Sequence, residues 1–82
     1  MKREEILKEI KKNDVTTEIF HDAVFAYMKF MEDGEEFSDW RGISTGLEWA
    51  LRRLLGFEIT DFDSDTELHE AVKMQCQLQY YF

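Results

Sequence analysis

The sequence predicts an all-α fold: a small four-helix, bundle-like domain covering residues 1–82, able to form a dimer. Three observations carry this reading. Apolar residues recur at three- and four-residue spacings in four segments, proline is absent, and the breaks between segments fall at Asn-Asp and at glycines. A chain of 82 residues makes one domain. At this size folding buries only about 60–65% of the unfolded surface, so self-association would add stability.

The first helix is expected at about 2–12, with Ile6, Leu7 and Ile10 on a narrow stripe. A helix this short forms only by docking. Asn13-Asp14 breaks it, and Asp14 or Thr16 is available to cap the next helix. The second helix, about 17–33, is apolar on most sides and stops at Gly34, which suits a left-handed C-cap. Such a helix belongs at the centre, with neighbours on several faces.

An acidic loop containing Trp40 and Gly42 is expected to precede the third helix, which opens with a Thr45–Glu48 capping box and stops at Gly56. Leu47, Ala50, Leu51, Leu54 and Leu55 share a face, and Glu48 stands four residues before Arg52, the favourable order for an ion pair. Residues 57–62 alternate like a strand but have no partner strand, so they read as a connector. The fourth helix, about 64–81, is expected to start with a Ser64–Glu67 capping box and to bury Leu68, Ala71, Val72, Cys76 and Phe82. Gln75 and Gln79 fall inside that stripe, and Tyr80, Tyr81 and Phe82 follow. A two-fold contact of these aromatics with Phe25 or Tyr27, the glutamines pairing across it, is the expected dimer interface.

Charge is the strongest functional signal. There are 18 acids against 10 bases. One acidic run holds Glu32, Asp33, Glu35, Glu36 and Asp39; a second holds Glu58, Asp61, Asp63, Asp65, Glu67 and Glu70; neither contains a base. The first twelve residues carry +2, leaving −10 on the remaining seventy. Such a field attracts cationic surfaces and repels nucleic acid, so no direct nucleic-acid binding is expected.

Chemistry-bearing motifs are sparse. Asp61, Asp63 and Asp65 match the start of a calcium loop, but Thr66 replaces its glycine and Val72 its bidentate glutamate. Calcium binding between Asp61 and Glu67 is therefore a subordinate alternative, and no metal or other cofactor is expected. His21, His69 and Cys76 lack zinc-site spacing. No phosphate loop or nucleophile motif appears, so the chain is not expected to be an enzyme. The lone Cys76 and the absence of a leader or an apolar span predict a soluble cytoplasmic protein, in the host cytoplasm if phage-encoded. Trp49, opposite the leucine stripe and close to Arg52 and Arg53, either lies beneath another segment or faces outward as a binding hot spot.

The segment Leu68-His69-Glu70-Ala71-Val72-Lys73-Met74, preceded by acids and followed by Tyr80-Tyr81, resembles the Ocr antirestriction family of T7-like phages. The resemblance covers the last helix. It implies a small acidic helical dimer that imitates bent DNA and inhibits a host restriction or CRISPR-type enzyme through that enzyme's basic groove. A domain of this length is about 30 Å across, and 30 Å of duplex carries roughly 18 phosphate charges. A net charge of −8 supplies about half of that, so full mimicry calls for two copies. The alternative is a helical interaction module or accessory subunit that engages its partner through Trp49 and the C-terminal aromatics Tyr80, Tyr81 and Phe82.

Overall fold

A computed structural model describes residues 1–33, 39–58 and 60–80, apart from the side chains of Gln79 and Tyr80. It contains four helices: α1 (Arg3–Lys11), α2 (Asp14–Asp33), α3 (Asp39–Leu54) and α4 (Phe62–Tyr80). Among the described residues there is no strand, and no helix is long and apolar enough to cross a membrane. The radius of gyration is 12.2 Å and the principal extents are 31 × 28 × 21 Å.

Helix α2 touches all three others, as its broad apolar surface requires. It buries Phe20, Ala23, Val24 and Ala26 against Ile6 and Ile10 of α1, Leu51 of α3, and Leu68, Ala71, Val72 and Cys76 of α4. The edge-on contact of Tyr27 with His69, together with the effect of Glu32 on the Cys76 thiol, sets α2 and α4 parallel. Helix α3 runs antiparallel to α4, since Glu48 meets His69 while Arg52 meets Asp65.

The turn between α1 and α2 is held by side chains. Asn13 is the N-cap, its Oδ1 accepting from the amides of Val15 (2.8 Å) and Thr16 (3.3 Å). The Thr16 and Thr17 hydroxyls donate back to the Ile10 carbonyl at 2.5 and 2.9 Å, which ties the end of α1 to the start of α2. The expected cap at Asp14 or Thr16 is thus displaced to Asn13.

Two helix starts differ from the capping-box reading. Helix α3 begins at Asp39, so Trp40 and Gly42 lie within it and Thr45 is an exposed interior residue. The first turn gains an acid at the positive end of the helix dipole and an edge-on Trp40–Phe25 contact at 5.8 Å. Helix α4 begins at Phe62, earlier than expected. Asp61 Oδ1 accepts from the Ser64 amide at 3.0 Å, and the Ser64 hydroxyl donates to Asp61 Oδ2 at 2.7 Å. Ser64 is therefore an interior partner of the cap, fully buried, and Glu67 turns to Arg3 instead.

The stop at Gly56 is as expected. Its φ is +77°, its amide donates to the Arg53 carbonyl at 3.2 Å and that of Phe57 to the Arg52 carbonyl at 2.9 Å, a Schellman motif. The expected C-cap at Gly34 lies outside the described residues, as do Glu35, Glu36, Tyr81 and Phe82.

Gly42 and Gly46 occupy the outer face of α3, with nothing within 4 Å of the space a β-carbon would fill. Gly42→Ala and Gly46→Ala should each stabilise the fold by about 0.5–1 kcal/mol, since alanine removes backbone entropy from the unfolded chain without a clash. Urea unfolding of the double variant checks this; an unchanged or lower midpoint refutes it.

The α4 cap makes a second prediction. Hydrogen bonds from the Ser64 amide and then the Ser64 hydroxyl hold the Asp61 carboxyl below its ordinary pKa. A depressed pKa stabilises the fold above the unfolded-state value, and that contribution is lost as pH falls through the folded-state value. Asp61→Asn keeps a capping side chain but does not titrate. Its thermal midpoint should fall progressively behind that of the unsubstituted protein as pH rises from about 2 to 5, the gap then staying constant at higher pH. Parallel midpoints across that range contradict the assignment.

Candidate functional site

The described acids of the two runs lie toward opposite ends of α3, a 16-residue helix about 24 Å long. Of the first run, Glu32 and Asp33 close α2 and Asp39 opens α3, at the end toward which the parallel helices α2 and α4 both run. Neither α2 nor α4 has a base in its last turn, so their negative helix-dipole ends add to the side-chain charge, offset in part by the positive start of α3 and the exposed Arg41 in its first turn. Glu32, Asp33 and Asp39 are all exposed there, and Glu32 has Lys29 at 3.5 Å as its partner.

The second run is largely absorbed by the fold. Asp61 caps α4. Asp65 lies 3.2 Å from Arg52, Glu67 3.2 Å from Arg3, and Glu70 3.5 Å from Lys73. Glu58 and Asp63 remain exposed. Of these three pairs α1 supplies one, Arg3 with Glu67, while Arg52 of α3 and Lys73 of α4 supply the others. Because Asp63 and Asp65 sit in the first turn of a helix, the three aspartates do not form a loop around a cation. Among the described residues no three His, Cys, Asp or Glu side chains are grouped to hold a metal ion.

Trp49 faces outward, 47% exposed, with the Arg52 guanidinium 4.5 Å above its ring. The two line a cleft of about 460 Å³ with Arg53, Gly56, Phe57 and Glu58. Arg52 is itself buried, at 7% exposure, and its Nε is shielded from solvent without a hydrogen bond. Asp65 Oδ1 lies 3.2 Å from that nitrogen but off the line of the N–H. The expected Glu48–Arg52 pair is replaced by partners on α4.

Glu48 instead accepts from, or pairs with, His69 Nδ1 at 2.8 Å. Tyr27 stands edge-on to the histidine at 5.8 Å. With Phe30, Arg41, Ser44 and Thr45 these residues line a second cleft, of about 390 Å³. Sequence reading missed it because its members come from three helices and share no spacing. The one hint was Glu48 beside an otherwise apolar stripe. The expected leucine stripe is inward at Leu51, which is fully buried, and at Leu47 and Leu55, which pack against the core, while Leu54 is 54% exposed and Ser44 is buried with the stripe. The interface aromatics expected from sequence are only partly visible: Phe25 is 46% exposed, whereas Tyr27 packs inside the chain against Phe30 and His69.

No protein-family model, curated protein or solved structure matches this chain.

Burial raises the Glu48 pKa, an effect partly offset by the hydrogen bond and charge of His69, with Asp65 adding to the rise. A raised pKa means the contribution to stability is complete below the unfolded-state value and is lost as pH rises through the folded-state value. Glu48→Gln retains an oxygen for His69 and cannot charge. Between about pH 4 and 5.5, below the histidine range, the unsubstituted protein should therefore lose stability relative to this variant as pH rises. Paired urea titrations measure the gap; a constant gap would refute the burial argument.

Proposed function

We propose that this chain acts by binding, as an acidic, phage-type inhibitor that occupies the basic nucleic-acid groove of a host defence or nucleic-acid-processing enzyme of restriction or CRISPR type. The observation that carries the reading is the acidic pole formed by Glu32, Asp33 and Asp39 at the end toward which α2 and α4 both run, with no base in the last turn of either helix. A basic groove built to receive phosphates is complementary to such a pole, and the field steers association. The acids at Glu35 and Glu36 belong to the same run in sequence. The longest dimension, 31 Å, corresponds to a stretch of duplex bearing roughly 18 phosphate charges, so a homodimer would bring the charge nearer to that of DNA.

A second reading, a helical interaction module or accessory subunit, is favoured by the outward-facing Trp49 with Arg52 stacked on it. Trp and Arg are the residue types most often found at binding hot spots. The position of Asp63 and Asp65 in the first turn of α4 argues against the calcium alternative.

The charge reading is tested by competition for labelled duplex DNA against purified restriction and Cas9-type enzymes, followed by fluorescence anisotropy. The protein should displace the duplex from at least one of them, less effectively as salt rises, because exposed charges are screened over about 8–10 Å. Combined Glu32→Lys, Asp33→Lys and Asp39→Lys should weaken displacement at least about tenfold. The two α2 substitutions place bases at a helix C-terminus, which favours the helix, whereas Asp39→Lys removes a favourable acid from the start of α3. Circular dichroism and the thermal midpoint of the variant are therefore measured alongside, and the Glu32→Lys, Asp33→Lys double variant should already weaken displacement. Absence of displacement across the panel, or displacement indifferent to salt and to the triple substitution, would remove the acidic pole as the binding surface.

A further inference from the structure

The Trp49 cleft has a donor set that the fold leaves unused. The Arg52 side chain makes no hydrogen bond to any described residue, although Asp65 sits 3.2 Å from its Nε. It is held in place by packing, at 7% exposure, by its ion pair with Asp65 and by its stack on Trp49 at 4.5 Å. Its Nε is sealed from water; the terminal nitrogens are not, and Arg52 lines the cleft. A buried, immobilised guanidinium with open donors is pre-organised for a planar, two-oxygen acceptor. The indole and Phe57 supply apolar walls beside it.

We propose that this cleft receives an acidic peptide segment of a partner protein, a Glu or Asp carboxylate bonded by the Arg52 fork with an adjacent apolar side chain on Trp49 and Phe57. The charge balance selects a carboxylate over a phosphate. Arg52 and Arg53 are opposed locally by Asp65 and Glu58, within a chain of net charge −8, so a singly charged planar anion is tolerated where a doubly charged one is repelled. Asp65 acts as the resident competitor, near the guanidinium but out of line with its N–H. The inference rests on the second reading above and is independent of the acidic pole.

The test is a titration of the ¹⁵N-labelled full chain with an acetylated, amidated peptide Ser-Leu-Glu-Leu-Ser, its Gln counterpart and its phosphoserine counterpart, followed by NMR. The Glu peptide should shift the Trp49 indole N–H and the Arg52 Nε–H saturably. The Gln peptide should bind at least about tenfold more weakly. Trp49→Ala, at an exposed position, and Arg52→Lys, which keeps the charge but loses the fork, should each weaken the Glu peptide to a similar degree. The Glu32→Lys, Asp33→Lys, Asp39→Lys protein should bind the peptide undiminished, which separates this surface from the acidic pole. Equal responses to the Glu and Gln peptides, no response at millimolar peptide, or preference for the phosphoserine peptide would each overturn the proposal.

Discussion

Helices α3 and α4 are joined by charge more than by apolar contact, and the shape of the molecule's functional surfaces depends on that seam. Two pairs lie about one turn apart along it: Glu48 with His69 and Arg52 with Asp65. In each, one partner is well buried and the other reaches solvent. Removing the outer partner would leave a desolvated charge unpaired, which costs more than the pair itself returns. The seam also draws Arg52 across the top of Trp49, which fixes the indole facing outward. Had Glu48 paired with Arg52 within α3, the guanidinium would be tied along its own helix and the cleft beside Trp49 would lose its donors.

The same composition serves two purposes in this chain. In the second acidic run most carboxylates are engaged within the fold, where they cap α4, close the seam or pair with bases of α1 and α4. In the first run the acids of α2 stand where electrostatics disfavours them, at a helix C-terminus without a compensating base in its last turn. A few tenths of a kcal/mol per acid, roughly 0.3–1, is given up there. Residues held at such a cost are better explained by an external partner, and this is why the functional argument rests on Glu32, Asp33 and the neighbouring Asp39 rather than on total charge.

Helix number, the central place of α2, the stop at Gly56 and burial of Ile6, Ile10, Leu68, Ala71, Val72 and Cys76 were all legible in the sequence. Periodicity and glycine position are local signals, and here tertiary packing agrees with them. The starts of α3 and α4 were not legible. The Thr45–Glu48 and Ser64–Glu67 spacings imitate capping boxes, yet both glutamates are claimed by distant partners, His69 at 21 residues' separation and Arg3 at 64. The true cap of α4 reverses the usual residue types, with an aspartate at the cap and the serine inside the helix. On α3 the stripe was legible through Leu47, Leu51 and Leu55, which pack in or on the core; what an apolar count hid is that polar Ser44, Glu48 and Arg52 turn inward beside them while Leu54 turns out.

The placement of the two candidate contacts constrains any partner that uses both. Asp39 opens α3 and Trp49 stands ten residues later, which separates them by about 15 Å along the helix axis. A partner engaging the acidic pole with a basic groove would need to present an acidic segment about that far from its nearest cations. A uniformly basic groove satisfies the first contact and is repelled by Arg52 and Arg53 at the second. On the proposed readings, the acids at the start of α3 and the Trp49–Arg52 cleft near its end, where Asp65 and Glu58 offset the arginine charge, would make the two directions of docking unequal.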